Sequence, residues 1–248
     1  MAPRLTGTNK GVSSVTRTAL ITGASSGIGR GAAIRLARDG WHVLAQGRNQ
    51  DRLQETLEMI AESGGTGESF VAEMGDMEQI EALSDWASDR SGGALGAMVH
   101  AAAKFTYGTV STDRFEDWDR SIDQVLRATI RLTAHLLPAV RNAQGTYIYI
   151  CGPTSWLGWK NHAIHCALRH AQAGFAKALF EDVREDGIGV TLIHPGFVHT
   201  PSADTAGKDT DKMIQVEDVG QLISSTLELP KTACVSEFTV RPQRSPYV

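Results

Sequence analysis

A glycine-rich turn near the start of the chain has the residue types needed to bind a dinucleotide. The run Thr22-Gly-Ala-Ser-Ser-Gly-Ile-Gly29 follows a strand-like segment and opens an amphipathic helical pattern. Gly23 permits a tight turn, Gly27 lets the backbone approach a pyrophosphate, and Gly29 lets the helix pack closely on the strand. The amides at the helix start would then face the phosphates, aided by the helix dipole. The residues predicted to contact the dinucleotide here are Gly23, Ser25, Ser26, Gly27, Ile28 and Gly29.

The segment after the second predicted strand indicates which dinucleotide is preferred. It reads Gln46-Gly-Arg-Asn49, and no acidic residue occurs before Asp51. An acid here would hydrogen-bond the adenosine 2′-hydroxyl and repel a 2′-phosphate, whereas an Arg accommodates the phosphate. Arg48 offers a planar, permanently charged guanidinium, and Asn49 lies beside it. NADP(H) is therefore favoured over NAD(H), and a merely solvated Arg48 is the alternative.

Short β-rich runs alternate with longer amphipathic helical patterns from residue 18 almost to the end of the chain. This alternation predicts an α/β protein with a Rossmann-type, doubly wound, parallel seven-stranded sheet and helices on both faces. Ligands are then expected at the carboxyl ends of the strands. The predicted strands are Thr18–Thr22, His42–Ala45, Ser69–Ala72, Ala97–Ala101, Thr146–Cys151, Gly189–His194 and Ser236–Val240. The predicted helices are Ile28–Asp39, Asp51–Ser63, Met77–Ser91, Trp118–Val140, Ala163–Arg184 and Val216–Leu227.

Length and composition narrow the class of protein. The 248 residues suit one α/β domain, and 42% hydrophobic residues are enough for a sizeable core. A net charge of −4 argues against a nucleic-acid partner, because that binding needs clustered positive charge. The 3 cysteines have no metal-ligand spacing, which favours a reduced, cytoplasmic compartment. No run of about 18 apolar residues occurs, so we predict no membrane span.

Two polar segments lie outside the alternating pattern. Residues 1–17 lack an apolar stretch, so we predict a flexible N-terminal tail rather than a signal peptide, followed by a single domain over 18–248. Pro201–Lys212 is a long polar insertion after a strand. Its composition favours a solvated loop, and its position after His194–Thr200 makes a substrate lid the alternative.

The glycine turn and its surroundings resemble the short-chain dehydrogenase/reductase family, whose pattern is Thr-Gly-x-x-x-Gly-x-Gly. The resemblance covers roughly residues 18 to 242. It includes Gly47-Arg-Asn49, a Pro138 closing the fourth helix, and Pro195-Gly-Phe-Val-His-Thr200, which in the family lines the nicotinamide end. The resemblance adds the following expected cofactor contacts: Glu73 near the adenine, Ala101, Arg169 at the ribose, Pro195, Gly196, Val198 and Thr200.

Members of this family use an Asn-Ser-Tyr-Lys set of catalytic residues, and here all four expected positions differ. Counting back without a gap from Ile188-Gly-Val-Thr-Leu-Ile-His-Pro-Gly196 puts the Tyr at His165 and the Lys at Arg169. The strand Gly145-Thr-Tyr-Ile-Tyr-Ile-Cys-Gly152 puts the Ser at Gly152. The Asn falls at Val125, and His100-Ala-Ala-Ala103 stands where Asn-Asn-Ala-Gly is usual. The resemblance thus implies an atypical member.

The residues at these positions allow only part of the family's acid–base chemistry. His165 could protonate an oxyanion near neutral pH, and a spacer side chain is the alternative. Arg169 could hold ribose hydroxyls, but an arginine stays protonated in proteins, which rules out a proton shuttle. Ser155, like Thr154, could replace the hydroxyl that Gly152 lacks, and Tyr107 could reach the pocket from the loop after the fourth strand. The predicted catalytic set is His165, Arg169, Ser155 and Tyr107.

Neighbouring aromatic and imidazole groups allow further readings of the pocket. His162 and His165 are three residues apart, yet no third ligand is apparent, so we predict no metal site. Trp156 and Trp159 could form an apolar wall over the substrate, or fill a subunit interface.

Three functions remain open on the sequence. The first is a reductase acting on an activated C=N, C=C or C=O group of a small organic substrate, which needs less help from a Tyr acid. The second is a non-redox enzyme of the same fold, such as a cyclase, dehydratase or isomerase, and the third is a catalytically silent NADP(H)-binding protein. The resemblance also implies a homo-dimer or homo-tetramer paired through the fourth and fifth predicted helices.

Overall fold

A single parallel sheet of seven strands organises the protein. The structure, a computed structural model, describes residues 17–203 and 205–247. The strand order is β3-β2-β1-β4-β5-β6-β7, and every neighbouring pair is parallel. This confirms the predicted fold class. The strands are β1 (Thr18–Thr22), β2 (His42–Gly47), β3 (Thr66–Val71), β4 (Ala97–His100), β5 (Thr146–Ile150), β6 (Gly189–Pro195) and β7 (Glu237–Val240).

Helices cover both faces of the sheet, because alternate strand residues supply two separate apolar cores. Leu20 of β1 belongs to the core under α3, α5 and α6, whereas Ala19 and Ile21 belong to the core under α1, α2 and α7. The central strands are buried on both faces, as expected for a parallel sheet. The helices are α1 (Gly27–Arg38), α2 (Gln50–Glu62), α3 (Met77–Arg90), α4 (Phe115–Ser121), α5 (Ala128–Ala143), α6 (Ala163–Val183) and α7 (Val216–Leu227).

The edge strand β3 begins three residues before the predicted start at Ser69. Thr66 pairs with His42, and the pairing continues to Val71 opposite Gly47. Gly67 and Glu68 are not strand-favouring residue types, so the pattern hid the beginning of this strand. The other strand and helix ends coincide with the predicted ones or differ from them by at most two residues, apart from the fourth predicted helix.

The helix predicted over Trp118–Val140 is longer and is interrupted. A π-helical turn, Ile122–Arg127, separates α4 from α5 and contains Val125. Pro138 lies inside α5, which continues to Ala143, so the expectation that Pro138 closes this helix was wrong. Ala139 and Val140 are buried against the sheet, and this packing carries the helix past the missing proline N–H. π-helical turns occur frequently at functional sites.

The ends of the predicted domain are only partly described. The predicted tail over 1–17 lies outside the described residues except for Arg17. The Arg17 guanidinium lies 4.7 Å from the centroid of the Trp41 ring and pairs with Glu228. Within the polar insertion Pro201–Lys212, Asp209 N–H donates to Pro246 O at 2.7 Å, which ties that segment to the C-terminal residues. No helix in the described ranges is both long and apolar enough to span a bilayer.

Candidate active site

Three loops meet where β1, β4 and β6 reach their carboxyl ends. A Cβ atom on Gly23 would lie 2.8 Å from Ala102 Cα, and one on Gly29 would overlap Gly23 O. Gly27 adopts φ +54°, and a Cβ there would lie 3.3 Å from Thr200 Cγ2. Only glycine therefore fits where Gly23 and Gly29 lie. The structure brings the glycine-rich turn together with the Pro195–Thr200 segment.

The start of α1 is open to a ligand in a way that its neighbours are not. Asn49 caps α2 by accepting from Arg52 N–H, and Asp76 caps α3 by accepting from Glu78 and Gln79 N–H. Ser26 at the corresponding position of α1 makes no side-chain cap within the described chain, and the first turn of α1 carries no acid. Its amides therefore face outward with a positive dipole end. That is the arrangement that binds an anion.

Gln46 supports the glycine-rich turn through hydrogen bonds. The sequence did not predict it as a site residue. Its Oε1 accepts from Gly23 N–H at 3.1 Å, while its amide group donates to Ala72 O at 2.7 Å. Thr22 adds a second support, because its Oγ1 accepts from the N–H groups of Ala101 and Ala102. Ser25, Ser26 and Ile28 stay partly exposed on the outer side of the turn. A polar residue at the end of β2 was the only sequence signal for Gln46.

Arg48 and Glu73 lie side by side at the far end of this site. Arg48 Nη1 is 3.4 Å from Glu73 Oε2, and its side chain is 67% exposed. Glu73 Oε1 accepts from the Gln124 side chain at 2.9 Å, so Glu73 also contacts the π-helical turn. Arg48 is thus placed next to the glycine-rich end of the sheet with its guanidinium in solvent. Asn49 is engaged as the cap of α2.

The Pro195–Thr200 segment is anchored at two points above the sheet. Gly196 N–H donates to Val240 O at 2.8 Å, and His199 N–H donates to Ile214 O at 2.8 Å. Pro195 ends β6, and Val198 is buried. These bonds hold the segment over the first turn of α1. The two expected cofactor segments therefore form one continuous surface.

Gly152 has a backbone conformation that disfavours a serine. Its φ is +79°, and it leads into the 3₁₀ turn Pro153–Ser155. A Cβ here would meet only Pro195 O, at 3.7 Å, so there is room for a side chain. The restriction is therefore in the backbone, since non-glycine residues rarely adopt positive φ.

His165 is buried in an aromatic environment. It is 5% exposed, with its ring centroid 5.1 Å from that of Phe105, 6.5 Å from that of Tyr107 and 6.3 Å from that of His162. Burial, with smaller contributions from Arg169 and His162, lowers the pKa of His165 to about 4. The imidazole is therefore neutral at pH 7. The expectation that its imidazolium supplies a proton near neutral pH conflicts with this burial, and a neutral ring could still donate a hydrogen bond.

Arg169 carries a buried positive charge without a carboxylate partner in the described part of the chain. It is 4% exposed, and its Nη1 donates to Ile150 O at 3.0 Å and to Gln172 Oε1 at 2.7 Å. Gln172 in turn donates to Thr129 Oγ1, one turn beyond Val125. Arg169 Nε is buried and has no hydrogen-bond partner among the described residues. Burial lowers the pKa of this guanidinium.

Ser155 belongs to a chain of hydrogen bonds that the sequence analysis missed. Its Oγ lies 2.9 Å from His194 Nδ1, and His194 Nε2 lies 2.9 Å from Glu237 Oε1. Lys177 Nζ of α6 lies 2.9 Å from Glu237 Oε2. Burial lowers the pKa of His194, although Gly152 O and Glu237 oppose the shift. Only the pairing of β6 with β7 reveals this cluster, because the sequence separates Ser155 from Glu237 by more than eighty residues.

Exposed aromatic side chains surround the opening beside His165. The ring centroids of Tyr107 and His162 are 4.8 Å apart, and those of Trp159 and Phe197 are 6.5 Å apart. Trp156 packs edge-on against His194 at 4.6 Å and remains 44% exposed. The structure thus places Tyr107 next to His162 and His165.

Comparison with known proteins identifies the family. The model of the short chain dehydrogenase family matches residues 17–211, so the chain belongs to the short-chain dehydrogenase family. An uncharacterized oxidoreductase of Staphylococcus aureus strain MRSA252 is 27% identical over 225 residues, which cover 90% of this chain and 96% of that protein.

Solved structures share the fold at low identity. A variant of actinorhodin polyketide ketoreductase with NADPH has a TM-score of 0.83 and 24% identity, covering 92% of this chain and 96% of that one. L-sorbose reductase from Gluconobacter frateurii, complexed with NADPH and L-sorbose, has a TM-score of 0.84 and 22% identity. That match covers 92% of this chain and 95% of the reductase.

Proposed function

We propose that this protein is an NADP(H)-binding oxidoreductase that reduces an activated double bond of a small organic substrate without a Tyr/Lys pair. The observation that carries the proposal is the uncapped start of α1 beneath the Pro195–Thr200 segment, because this surface offers outward-facing amides to a pyrophosphate. The solved ketoreductase and sorbose reductase of the same fold carry NADPH, which supports the same cofactor here. When bound, that cofactor supplies a hydride.

The residues present fit the cofactor. Gly23 and Gly29 leave the space that side chains would fill, and the first turn of α1 has no acid to repel phosphate. Arg48 supplies a solvent-facing guanidinium for a 2′-phosphate, beside Glu73. Thr200 would close the surface over Gly27, at the end where the family places nicotinamide.

The groups opposite the cofactor favour a substrate that develops negative charge. Val125, Gly152, His165 and Arg169 occupy the positions that the family pattern assigns to Asn, Ser, Tyr and Lys, and we interpret the protein as an atypical member on this basis. The buried charge of Arg169 has no carboxylate to neutralise it in the described chain, so it stabilises an oxyanion or enolate and opposes an iminium ion. A conjugated carbonyl compound is therefore preferred over a C=N substrate. Neutral His165 would donate a hydrogen bond to the substrate oxygen.

A non-redox reaction in the same pocket is the second candidate. The hydrogen bond between Ser155 and His194 favours it, because a hydroxyl activated by an imidazole needs no cofactor. Turnover without any change in nicotinamide absorbance would identify this case, whereas NADPH consumption with a conjugated ketone would support the reductase.

The experiment that tests the proposal is a titration with NADPH, NADH and buffer alone, followed by Trp fluorescence. We expect saturable binding of NADPH and weaker binding of NADH. If neither nucleotide binds to the folded protein, the oxidoreductase proposal is wrong.

Four further expectations stay predictions. They are a single domain over 18–248, a lid at 201–212, a cytoplasmic location, and a homo-dimer or homo-tetramer paired through α5 and α6. Analytical sedimentation would check the oligomeric state.

A further inference from the structure

Ser155, His194 and Glu237 come from three different parts of the chain and make consecutive hydrogen bonds. Ser155 lies in the turn after β5, His194 in β6 and Glu237 at the start of β7. We propose that these three residues form a proton relay, in which Ser155 Oγ exchanges a proton with a substrate oxygen in the pocket. Only the identity of that substrate rests on the proposed function.

The hydroxyl of Ser155 lies close to the position where the family pattern expects a catalytic serine. Its Oγ is 2.7 Å from Gly152 O, so it lies no farther than about 5 Å from Gly152 Cα. A Cβ on Gly152 would meet nothing nearer than Pro195 O at 3.7 Å, which leaves space between the two positions. Ser155 therefore supplies a hydroxyl to the part of the pocket where Gly152 has none.

The hydrogen-bond chain defines where the protons lie. His194 is 1% exposed, and burial favours its neutral form. Its Nε2–H then donates to Glu237 Oε1, which leaves Nδ1 as an acceptor 2.9 Å from Ser155 Oγ and 3.2 Å from Gly152 O. The Ser155 hydroxyl donates to Gly152 O in the structure, and rotation about its C–O bond turns this hydrogen toward Nδ1. The charged groups facing His194 are the Glu237 carboxylate from β7 and, behind it, the Lys177 ammonium from α6. The Nε2–H tautomer is assigned from the contact with the Glu237 carboxylate.

The proton step conserves atoms and charge. The substrate O–H bond breaks and its proton binds Ser155 Oγ, while the Ser155 proton moves to His194 Nδ1. The imidazolium that forms stays hydrogen-bonded to the Glu237 carboxylate, which stabilises its charge. No electrons leave the relay, and the reverse sequence protonates a substrate oxyanion. Glu237 and Lys177 are partly exposed, which connects the relay to solvent.

Chemical labelling tests the relay without cofactor or substrate. Diisopropyl fluorophosphate would react at Ser155 Oγ: the O–P bond forms, fluoride leaves, and the hydroxyl proton goes to His194. We expect one adduct on Ser155, located by mass spectrometry, with a rate that rises with pH as His194 becomes neutral. Glu237→Gln should slow labelling roughly a hundredfold, and Glu237→Asp should restore much of the rate. Ser63→Ala, which removes a surface hydroxyl that donates to Ile60 O, should label like the wild type.

Absence of an adduct on Ser155 in the folded protein, or an unchanged rate in Glu237→Gln, would overturn the relay. Circular dichroism on each variant separates loss of labelling from loss of folding. The fluorescence titration with NADPH is independent of this result. If NADPH fails to bind while Ser155 is labelled, the proposed function is wrong and the proton relay is still supported.

Discussion

The two ends of the pocket satisfy their polar groups in opposite ways. At the start of α1, the backbone amides point outward without a side-chain cap in the described chain, and the nearby charge of Arg48 is in solvent. Around the start of α6, His165 and Arg169 are buried, as is His194 of β6, and Arg169 and His194 are hydrogen-bonded to other protein groups. The first end is complementary to an anion that comes from solution. At the second end, reactivity depends on how burial changes the pKa of each group.

The strongest test of this contrast is acid stability, because burial lowers the pKa of His165, of His194 and, at the end of β4, of His100. Burial lowers the pKa of His100 to about 3 and that of His165 to about 4. Both groups have an ordinary pKa near 6.5, so the unfolded chain takes up protons first as the pH falls. The stability that the neutral histidines provide is complete above about pH 6.5. It is lost as the pH falls toward their pKa values in the folded protein. At about 1.4 kcal/mol per pKa unit, these two histidines lose roughly 5 kcal/mol between pH 7 and pH 4.5, and His194 adds to this loss because burial also lowers its pKa.

Urea unfolding at the two pH values measures this loss. His165→Phe should reduce the loss by roughly 2.5 kcal/mol, whereas His135→Gln, which changes an exposed histidine on α5, should leave it unchanged. An equal loss in His165→Phe would mean that His165 is not held neutral.

The nucleotide end is most sensitive at Gly29. In Gly29→Ala the new methyl group would overlap Gly23 O, so the turn must open. We expect overpacking to cost about 1–3 kcal/mol of stability and NADPH affinity to fall at least about a hundredfold, since the amides no longer converge. Gly174→Ala is the matched control, because nothing lies within 4 Å of a Cβ there. Calorimetry of NADPH binding checks both variants. Normal affinity in Gly29→Ala would show that the glycine-rich turn does not bind NADPH.

At the buried end, His165→Ala should cut turnover of a conjugated ketone by roughly a hundredfold if the ring donates to the substrate. Because the pKa of His165 is about 4, the wild-type rate should not change with its titration between pH 6 and 8. His162→Ala serves as the neighbouring control. If both variants keep the wild-type rate, His165 only fills space.

Arg48→Gln should produce the smallest effect. The guanidinium is exposed and screened by solvent, so we expect NADPH binding to weaken by about tenfold while NADH binding stays the same. Arg131→Gln changes an exposed arginine of α5 that pairs with Glu81, and it should alter neither affinity. Equal weakening of NADPH and NADH binding would show that Arg48 does not contact the 2′-phosphate.

Local patterns were sufficient to predict the sheet and the glycine-rich turn. Gly23, Gly27 and Gly29 are close in sequence, and their steric role follows from the strand and helix beside them. The π-helical turn at Ile122–Arg127 left no such signal, because its apolar spacing continues that of a regular helix.

The buried end depends on contacts between distant segments. The pKa of His165 follows from its burial beside Phe105 and Tyr107, which come from a different loop. Likewise, His194 meets Ser155 and Glu237 only through the geometry of the 3₁₀ turn and the β6–β7 pair. A sequence lists these residues but does not pair them.

The positive φ of Gly152 has a consequence for attempts to rebuild the site. A serine introduced there would strain the backbone by about 1–3 kcal/mol, and relieving that strain would shift the turn that carries Ser155. Restoring residues one at a time would therefore pass through variants that lose the present hydroxyl before gaining a usable new one. Conversion to the family's usual chemistry would need the segment from Gly152 to Arg169 exchanged as a block, together with Val125.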